Sequence, residues 1–305
     1  MLVKKIIAVF LYYSGIAYLL SRIIEHKTLT YHNVMPDCFY DNKLHLGVSH
    51  SSTVFESHIK VLSRFFGRKK LKFSFDDGYL NNYLIAIPIL EKQHLKGLFF
   101  VPFFKNNSSK AFWADRLMYL LSYTKPGNYY FDTITIQLDE DNREKSFSIL
   151  YAYIMNNYGK KLKIMECVDS YLQSKIFIES EYFKLRFTFI DDEQINAIKE
   201  SGHQIGFHSL NHDIYSQLSN EDIYEEFLLS KERLDFLNVN SFSFPFGGEL
   251  ENKLEIVEKL KDFNITNIYS NQNKRGNPIH SRISLPNTSN TYLIIFYYIK
   301  NSLNL

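Results

Sequence analysis

From residue 27 to the end of the chain, short apolar runs alternate with longer segments of helical periodicity. Because parallel strands joined by helices produce this pattern, we predict an α/β fold built from βα units. About six or seven such units are enough to close a β/α barrel, so we predict a barrel of about seven strands. The predicted strands are residues 28–32, 71–75, 97–103, 203–207, 241–246, 265–269 and 282–285.

Two of the predicted helices carry clear start signals. Asp191 and Ser219 stand directly before helical segments, and each is followed three residues later by a side chain that can complete a capping box, Gln194 and Asp222. Gly202 ends the first of these helices. Further helices are predicted over residues 80–93 and 250–263 and from residue 290 onward.

Between residues 104 and 187 the alternation stops. This stretch is rich in Asn, Lys and Tyr and contains the only tryptophan, Trp113. None of its segments is needed as a barrel strand. We therefore predict one barrel domain over residues 27–305 that carries a helical insertion at about 104–187.

Residues 1–26 are predicted to form a separate apolar helix. Lys4 and Lys5 precede the fifteen uncharged residues 6–20, and Arg22 follows. At about 1.5 Å per residue such a helix reaches about 22 Å, which is less than the ~30 Å of a bilayer's hydrocarbon layer. Three alternatives remain: membrane contact through residues 6–24 as an anchor or interfacial helix, a signal peptide, cleaved or uncleaved, or a helix packed on the domain. The expected location is accordingly membrane-associated or cytoplasmic, with export as a further alternative.

Composition narrows the classes of function. With 305 residues and 45% hydrophobic content, the chain has ample material for a core and is not a disordered protein. The formal net charge of +2 gives no reason to expect a nucleic-acid partner. Cys38 and Cys167 are the only cysteines, lie far apart in sequence and form no CxxC motif, so the sequence suggests neither a disulfide framework nor a thiolate metal site.

Polar side chains follow three of the predicted strands, where barrel enzymes carry their chemistry. The segment FSFDDGY (73–79) ends in Asp76 and Asp77, FHSLNHD supplies His208 and His212, and a third strand ends in PFGG. Two adjacent carboxylates repel each other unless a cation or a proton neutralises one of them. Asp77, His208 and His212 together suit Zn²⁺ or another borderline divalent ion. Either motif alone is weak, because Asp-Asp-Gly turns and HxxxH pairs are common in proteins without metal.

Read in order, these motifs point to a known family. FSFDDGY, GLFFVPF, IKESGHQIGFHSLNHD and SFSFPFGG cover residues of about 70–103 and 188–285. In this order they resemble the polysaccharide deacetylases of carbohydrate esterase family four, the NodB-homology domain. LTYHNV and FWADRL resemble the exopolysaccharide-locus branch of that family. The resemblance implies a deformed, NodB-like (β/α) barrel and a metal-dependent hydrolase that removes N-acetyl groups from N-acetylhexosamine units of a bacterial surface polysaccharide or its precursor.

The resemblance also implies a role for each residue. Asp76 would be the catalytic base, while Asp77, His208 and His212 would bind the metal, with zinc as the expected ion. The implied chemistry is polarisation of the acetyl carbonyl by the metal and removal of a proton from the attacking water by Asp76. The expected partner is an N-acetylated polysaccharide or oligosaccharide. The implied substrate-binding residues are Pro245, Phe246 and Gly247.

Two features of the family pattern are missing. The third motif commonly has an arginine before its proline, where this chain has the residues 242–244 (FSF). Arg282 is our candidate to orient Asp76 instead, the alternative being a rim salt bridge without catalytic weight. A late histidine that would protonate the leaving amine is also absent after Leu285, and we favour His32, at the end of the first strand, over His280 for this task.

These departures leave two other functions open. A chain that kept the barrel but lost turnover would be a non-catalytic carbohydrate-binding protein. The same Asp and His set could also serve a metal-dependent phosphoesterase.

Overall fold

The computed structural model describes residues 2–40, 49–104, 111–131, 133–139, 141–171, 181–247, 254–271 and 279–303. These residues form two compact units. The first, the barrel unit, comprises residues 2–40, 49–104 and 189–303. The second, the insertion unit, lies within residues 111–188, close to the insertion predicted at about 104–187.

Seven parallel strands close a barrel in the first unit, and each strand pairs with its neighbour in the barrel. This confirms the predicted α/β barrel of about seven strands. Two predicted strands end early, because Pro102 and Pro245 cannot donate a hydrogen bond to a neighbouring strand. The barrel strands are β1 (Thr28–Tyr31), β4 (Phe73–Phe75), β5 (Gly97–Val101), β8 (Gln204–Phe207), β9 (Ser241–Ser243), β10 (Asn267–Ser270) and β11 (His280–Ile283).

Four of the barrel strands, β1, β4, β5 and β9, are short runs buried on both faces, as expected for parallel strands covered by helices. Phe75 of β4 pairs with Phe99 of β5, and their rings stack at 4.7 Å. Gly206 in β8 leaves room for the ring of Phe100, since an added Cβ would lie 2.4 Å from it. A second, two-stranded parallel sheet, β2 (Asn33–Met35) with β3 (Ser49–Ser51), follows β1 and was not predicted.

Helices surround these strands, and both predicted capping boxes are present, at Asp191 and at Ser219. The segment after Tyr79 contains a π-helical turn, Asn82–Ala86, before it becomes α-helical. Residues 250–253 of one predicted helix lie outside the described residues. The α-helices of the barrel unit are α1 (Leu2–Tyr13), α2 (Ile16–Ile23), α3 (Ser52–Phe66), α4 (Ile87–Lys92), α9 (Asp192–Glu200), α10 (Asn220–Phe236), α11 (Leu254–Lys259) and α12 (Thr291–Ser302).

The prediction of a single N-terminal helix over residues 1–26 was wrong in one respect. The segment forms two helices, α1 and α2, with an angle of 81° between them. Gly15 stands at the break with a φ of 78°, a left-handed conformation that glycine adopts without steric cost.

The insertion unit has a hydrophobic core of its own. Its described part contains the helices α5 (Trp113–Tyr123), α6 (Arg143–Asn156), α7 (Lys161–Tyr171) and α8 (Glu181–Phe187). It also contains an antiparallel hairpin, β6 (Gly127–Phe131) with β7 (Ile134–Leu138). The prediction of a helical insertion therefore missed a β component. The signal was present, because residues 134–138 (ITIQL) alternate apolar and polar positions and bury Ile136 and Leu138.

Candidate active site

Three loops that follow barrel strands carry the predicted site residues. Asp76 and Asp77 follow β4, His208 and His212 follow β8, and residues 245–247 follow β9. All three loops leave the C-terminal ends of parallel strands, so they share one rim of the barrel. The structure thus brings together residues that are more than 130 positions apart in sequence (208 − 77 = 131).

Asp77, His208 and His212 form a buried cluster at this rim. Oδ1 of Asp77 lies 3.3 Å from Nε2 of His208 and 3.0 Å from Nε2 of His212. Ligands at about 2.0–2.1 Å from a tetrahedral zinc stand roughly 3.3 Å apart, so the spacing fits one shared ion. Within the described residues, this is the one group of His, Cys, Asp and Glu side chains whose ligand atoms converge in this way.

The hydrogen bonding of His208 also fits a ligand. Its Nδ1 donates to the carbonyl oxygen of Ser243 at 2.8 Å, which fixes the tautomer and leaves the lone pair on Nε2. That lone pair faces a carboxylate oxygen of Asp77, an arrangement that is repulsive unless a second proton or a cation lies between them. Burial acts to raise the pKa of Asp77, but the contacts with His208 and His212 outweigh it and hold that pKa well below the usual range.

Asp76, the neighbouring residue, has a different partner. Arg282 of β11 holds it with two hydrogen bonds, from Nη1 to Oδ1 at 2.6 Å and from Nη2 to Oδ2 at 2.7 Å. Both side chains are almost fully buried. Burial acts to raise the pKa of Asp76, but the Arg282 guanidinium outweighs it, so the pKa lies below its ordinary value. The geometry is that of a bidentate pair, which fixes the orientation of the carboxylate as well as its charge.

The two histidines considered as proton donors occupy different places. His32 directly follows β1, and its Nε2 lies 3.8 Å from Oδ2 of Asp76. Its side chain is one-fifth exposed (20%), so it is open to a substrate. His280 is exposed at the N-terminal end of β11, where its ring packs on Tyr269 at 5.1 Å. The site lies at the C-terminal strand ends, so the geometry favours His32.

Comparison with known proteins agrees with this site. A family model described as "Polysaccharide deacetylase" matches residues 160–262, which include His208 and His212. Over this segment the chain is similar to the polysaccharide deacetylases. The match indicates a hydrolase of the deacetylase class, and the barrel brings the Asp76 and Asp77 pair to the matched histidines. No curated protein sequence matches the chain significantly.

Solved structures of two bacterial proteins have a similar fold. One is the Streptococcus pyogenes deacetylase PplD, with a TM-score of 0.50 and 15% identity over 90% of this chain and 98% of that chain. The other is IcaB from Ammonifex degensii, with a TM-score of 0.50 and 14% identity over 91% of this chain and 97% of that chain. At such low identity these likenesses show the barrel fold alone.

The loops that carry the site contain unusual backbone conformations. Asp77, Ser209, His212 and Phe246 all have a positive φ, between 55° and 76°. Asp and His tolerate this region, but for a bulky residue such as Phe246 it is a genuine outlier. Strained residues of this kind persist where surrounding structure holds them and where function requires the geometry.

The predicted substrate-binding residues Pro245, Phe246 and Gly247 form a tight turn after β9, in which Phe246 has a left-handed backbone conformation. The ring of Phe246 is 40% exposed and packs against the ring of His212 at a centroid distance of 4.9 Å. An apolar ring is therefore presented to solvent directly beside the cluster of Asp77, His208 and His212. Such a ring can pack against the face of a sugar.

Three buried residues at the site were missed by the sequence analysis. Ser243 accepts from His208 through its carbonyl and contacts Nη2 of Arg282 through its hydroxyl at 2.7 Å, so it links both halves of the site. The hydroxyl of Ser74 lies 3.2 Å from Nη1 of Arg282. Ser243 stands in the segment where the family motif commonly has its arginine, and that replacement was the available signal.

The third missed residue, Glu226 of α10, packs against the histidine loop, which is the segment of residues 208–212 after β8. Its Oε2 accepts from the hydroxyl of Tyr215 at 2.8 Å and from the backbone N–H of Leu210 at 3.4 Å. Leu210 lies midway between the two ligand histidines. Burial raises the pKa of Glu226 above its ordinary value. Nothing in the local sequence of α10 distinguishes this glutamate from its exposed neighbour Glu225.

Proposed function

We propose that this protein removes N-acetyl groups from N-acetylhexosamine units of a bacterial surface polysaccharide or its precursor, with a divalent metal, zinc by preference. The observation that carries the proposal is the convergence of one carboxylate and two imidazoles beside a second carboxylate held by an arginine. This is the arrangement that metal-assisted hydrolysis of an amide needs: an open metal position and a separate base.

Asp77, His208 and His212 would hold the ion. When bound, the ion supplies Lewis acidity, which polarises the acetyl carbonyl and makes water acidic enough to be deprotonated near neutral pH. Asp76 would accept the proton of the attacking water. Both of its oxygens bind Arg282, but each carboxylate oxygen has two lone pairs, so a lone pair on Oδ2 remains for the water.

His32 would complete the reaction as the proton donor to the leaving amine. Its Nε2 stands on the same side of the site as Oδ2 of Asp76, at 3.8 Å. Asp76 could therefore take a proton from the attacking water while His32 gives one to the leaving amine of the same substrate. Arg282 would act as a positioning residue, because it touches the base and not the substrate.

The substrate class rests on two supports. Phe246, with Pro245 and Gly247, offers an exposed ring beside the cluster on which a pyranose face can pack. The S. pyogenes neighbour is described as a deacetylase in complex with acetate, the acid that hydrolysis of an acetyl group releases.

The test is acetate release from chitooligosaccharides and from poly-N-acetylglucosamine, with zinc titrated into chelator-treated protein. We expect acetate release to follow zinc occupancy at one site per chain and to stop on chelation. Acetylated xylan serves as the O-acetyl control substrate. Zinc binding without acetate release from any acetylated sugar would favour a non-catalytic carbohydrate-binding protein. Phosphate release from sugar phosphates would favour a phosphoesterase.

A further inference from the structure

The two N-terminal helices carry an exposed apolar surface that the proposed reaction does not use. Of the twenty large apolar or aromatic side chains exposed in the described part of the chain, eleven lie within residues 2–23. Phe10 and Leu19 are each 63% exposed and Ile23 is 75% exposed. Apolar side chains concentrated in this way mark an interaction surface, whereas isolated ones are normal in any protein.

The opposite side of the same helices is part of the barrel unit. Ala17 and Ile24 belong to its buried core, and Ala8 of α1 is also buried. The hydroxyl of Tyr13 is 2.8 Å from that of Tyr292 on α12. The exposed face is therefore held in a fixed position on the unit that contains the active site.

The charges on these helices have one sign. Lys4, Lys5 and Arg22 are exposed, and neither α1 nor α2 contains an Asp or a Glu. Arg22 donates to the hydroxyl of Tyr18 at 2.6 Å and lies over its ring at 4.6 Å. Basic side chains beside apolar ones complement anionic lipid headgroups, and tyrosines are enriched at the boundary between headgroups and acyl chains.

The dimensions of the helices favour a position along a bilayer surface. No single described helix is long and apolar enough to cross a membrane, and α1 and α2 meet the requirement only as a pair bent by 81°. The twelve residues of α1 and the eight of α2 reach about 18 Å and about 12 Å, against ~30 Å of hydrocarbon. Packing against α12 holds the bend in place.

We propose that α1 and α2 dock the barrel unit on an anionic lipid surface, with their outward apolar side chains in the interfacial layer and without crossing it. This proposal is independent of the catalytic residues. It accounts for the apolar face, the basic side chains and the bend between the helices together.

The first test uses flotation of the full chain with vesicles of phosphatidylcholine alone or mixed with phosphatidylglycerol. We expect binding to the mixed vesicles and a loss of about tenfold or more in the Ile6→Ser, Phe10→Ser, Leu19→Ser variant. The matched control is Leu228→Ser, Leu229→Ser, Phe236→Ser, which removes equally exposed apolar side chains from α10 and should bind as the parent does. Acetate release from a soluble oligosaccharide should be unchanged in both variants.

The second test measures charge and depth. The Lys4→Gln, Lys5→Gln, Arg22→Gln variant should bind the mixed vesicles roughly a hundredfold more weakly and with a smaller salt dependence. A Phe10→Trp probe in a Trp113→Phe background should be quenched by lipids brominated near the headgroup. Quenching strongest at the bilayer midplane would overturn the proposal in favour of a spanning segment. Three other results would also overturn the proposal. The first is equal vesicle binding by the apolar triple variant and the α10 control, and the second is no binding of the parent protein to either kind of vesicle. The third is self-association of the parent protein that is lost in the apolar triple variant.

Discussion

Asp76 and Asp77 are adjacent, buried and chemically identical, yet they have opposite kinds of partner. Arg282 donates two hydrogen bonds to Asp76. Asp77 faces His208 and His212, whose ring nitrogens can carry either a proton or a lone pair. The fold itself therefore supplies the countercharge of Asp76, because arginine stays protonated in proteins, whereas Asp77 depends on what binds between it and the histidines. The charge of Asp76 is thus neutralised within the fold, whereas Asp77 and the two histidines form a set of side chains that could hold a cation.

Substituting the two aspartates one at a time should separate these roles, and this is the largest effect we expect. Asp76→Asn should lower the rate of acetate release by about 10²–10⁴-fold, the usual contribution of a general base, while zinc binding persists. Asp77→Asn should abolish acetate release and zinc binding together, because it removes an anionic ligand. Acetate assays and calorimetric zinc titration measure the two properties separately.

If both variants lost zinc binding to the same extent, Asp76 would also be a metal ligand, and the two aspartates would not have separate roles. His280→Gln is the control, since His280 lies away from the cluster and should leave both properties unchanged. Thermal unfolding of each variant checks that the barrel remains folded.

Replacing Arg282, the partner of Asp76 in the buried ion pair, should lower the free energy of unfolding. Arg282→Met leaves Asp76 buried without its cation, and breaking a buried pair in this way costs about 3–5 kcal/mol of unfolding free energy. The double variant Arg282→Met, Asp76→Asn removes both charges and should recover part of that loss. Urea unfolding of the four proteins gives the coupling free energy. Strictly additive losses would show that the two hydrogen bonds contribute little.

Much of the fold was predictable because its signals are local. The alternation of apolar runs and helical segments, the capping residues Asp191 and Ser219, and the rule that barrel sites lie at strand ends all operate over a few residues. The grouping of Asp77 with His208 and His212 followed from the same rule. The barrel topology then makes neighbours of segments that are far apart in sequence.

What the sequence could not establish depends on three-dimensional position. Arg282 pairs with Thr28 in the register of the barrel, and its long side chain reaches Asp76 from there. This contact therefore depends on strand register, which the sequence does not give. The importance of Ser243 comes from its backbone carbonyl, which no sequence motif encodes. The break at Gly15 and the hairpin at residues 127–138 carried recognisable signals, glycine and period-two alternation, that the broader apolar and helical patterns obscured.

Two buried histidines extend the comparison to pH. His208 donates a hydrogen bond from Nδ1 to a backbone carbonyl, and its Nε2 faces the Asp77 carboxylate. Both ring nitrogens of His58 instead contact uncharged oxygens: Nε2 donates to the carbonyl of Thr288, and Nδ1 accepts from the hydroxyl of Tyr31. Burial, and then the nearby His50, lower the pKa of His58 to about 3. His58 thus remains neutral in the folded protein under conditions where the unfolded chain takes up a proton.

The expected consequence is a loss of stability as the pH falls. With an ordinary pKa of about 6.5 in the unfolded chain, the contribution of His58 is complete above that pH and decreases by about 2 kcal/mol between pH 7 and pH 5. Urea unfolding at each pH measures this slope, which should be shallower in His58→Phe, with His280→Gln as the control. An unchanged slope in His58→Phe would assign the effect to other groups. Because no metal ligand is involved, zinc should not alter the contribution of His58.

The smallest expected effect is on zinc affinity when Glu226 of α10, which contacts the loop between His208 and His212, is replaced. Glu226→Gln keeps the shape of the side chain but replaces a carboxylate that accepts from Tyr215 and from the Leu210 N–H with a weaker acceptor. Because residues behind metal ligands typically affect metal affinity by 10–100-fold, we expect zinc to bind about tenfold more weakly. The Asp76–Arg282 pair makes no contact with Glu226 among the described hydrogen bonds, so the coupling free energy of that pair should be unchanged.

Glu225→Gln, an exposed change of the same chemical kind one residue earlier, is the matched control for Glu226→Gln and should bind zinc normally. Tyr215→Phe removes only the phenol hydrogen bond and should weaken zinc binding less than Glu226→Gln, because the contact with the Leu210 N–H remains. If Glu226→Gln and Glu225→Gln bind zinc equally well, the histidine loop is held by its own backbone conformation. The left-handed backbone conformations of Ser209 and His212 would then be the source of its rigidity, and α10 would serve only to cover the loop.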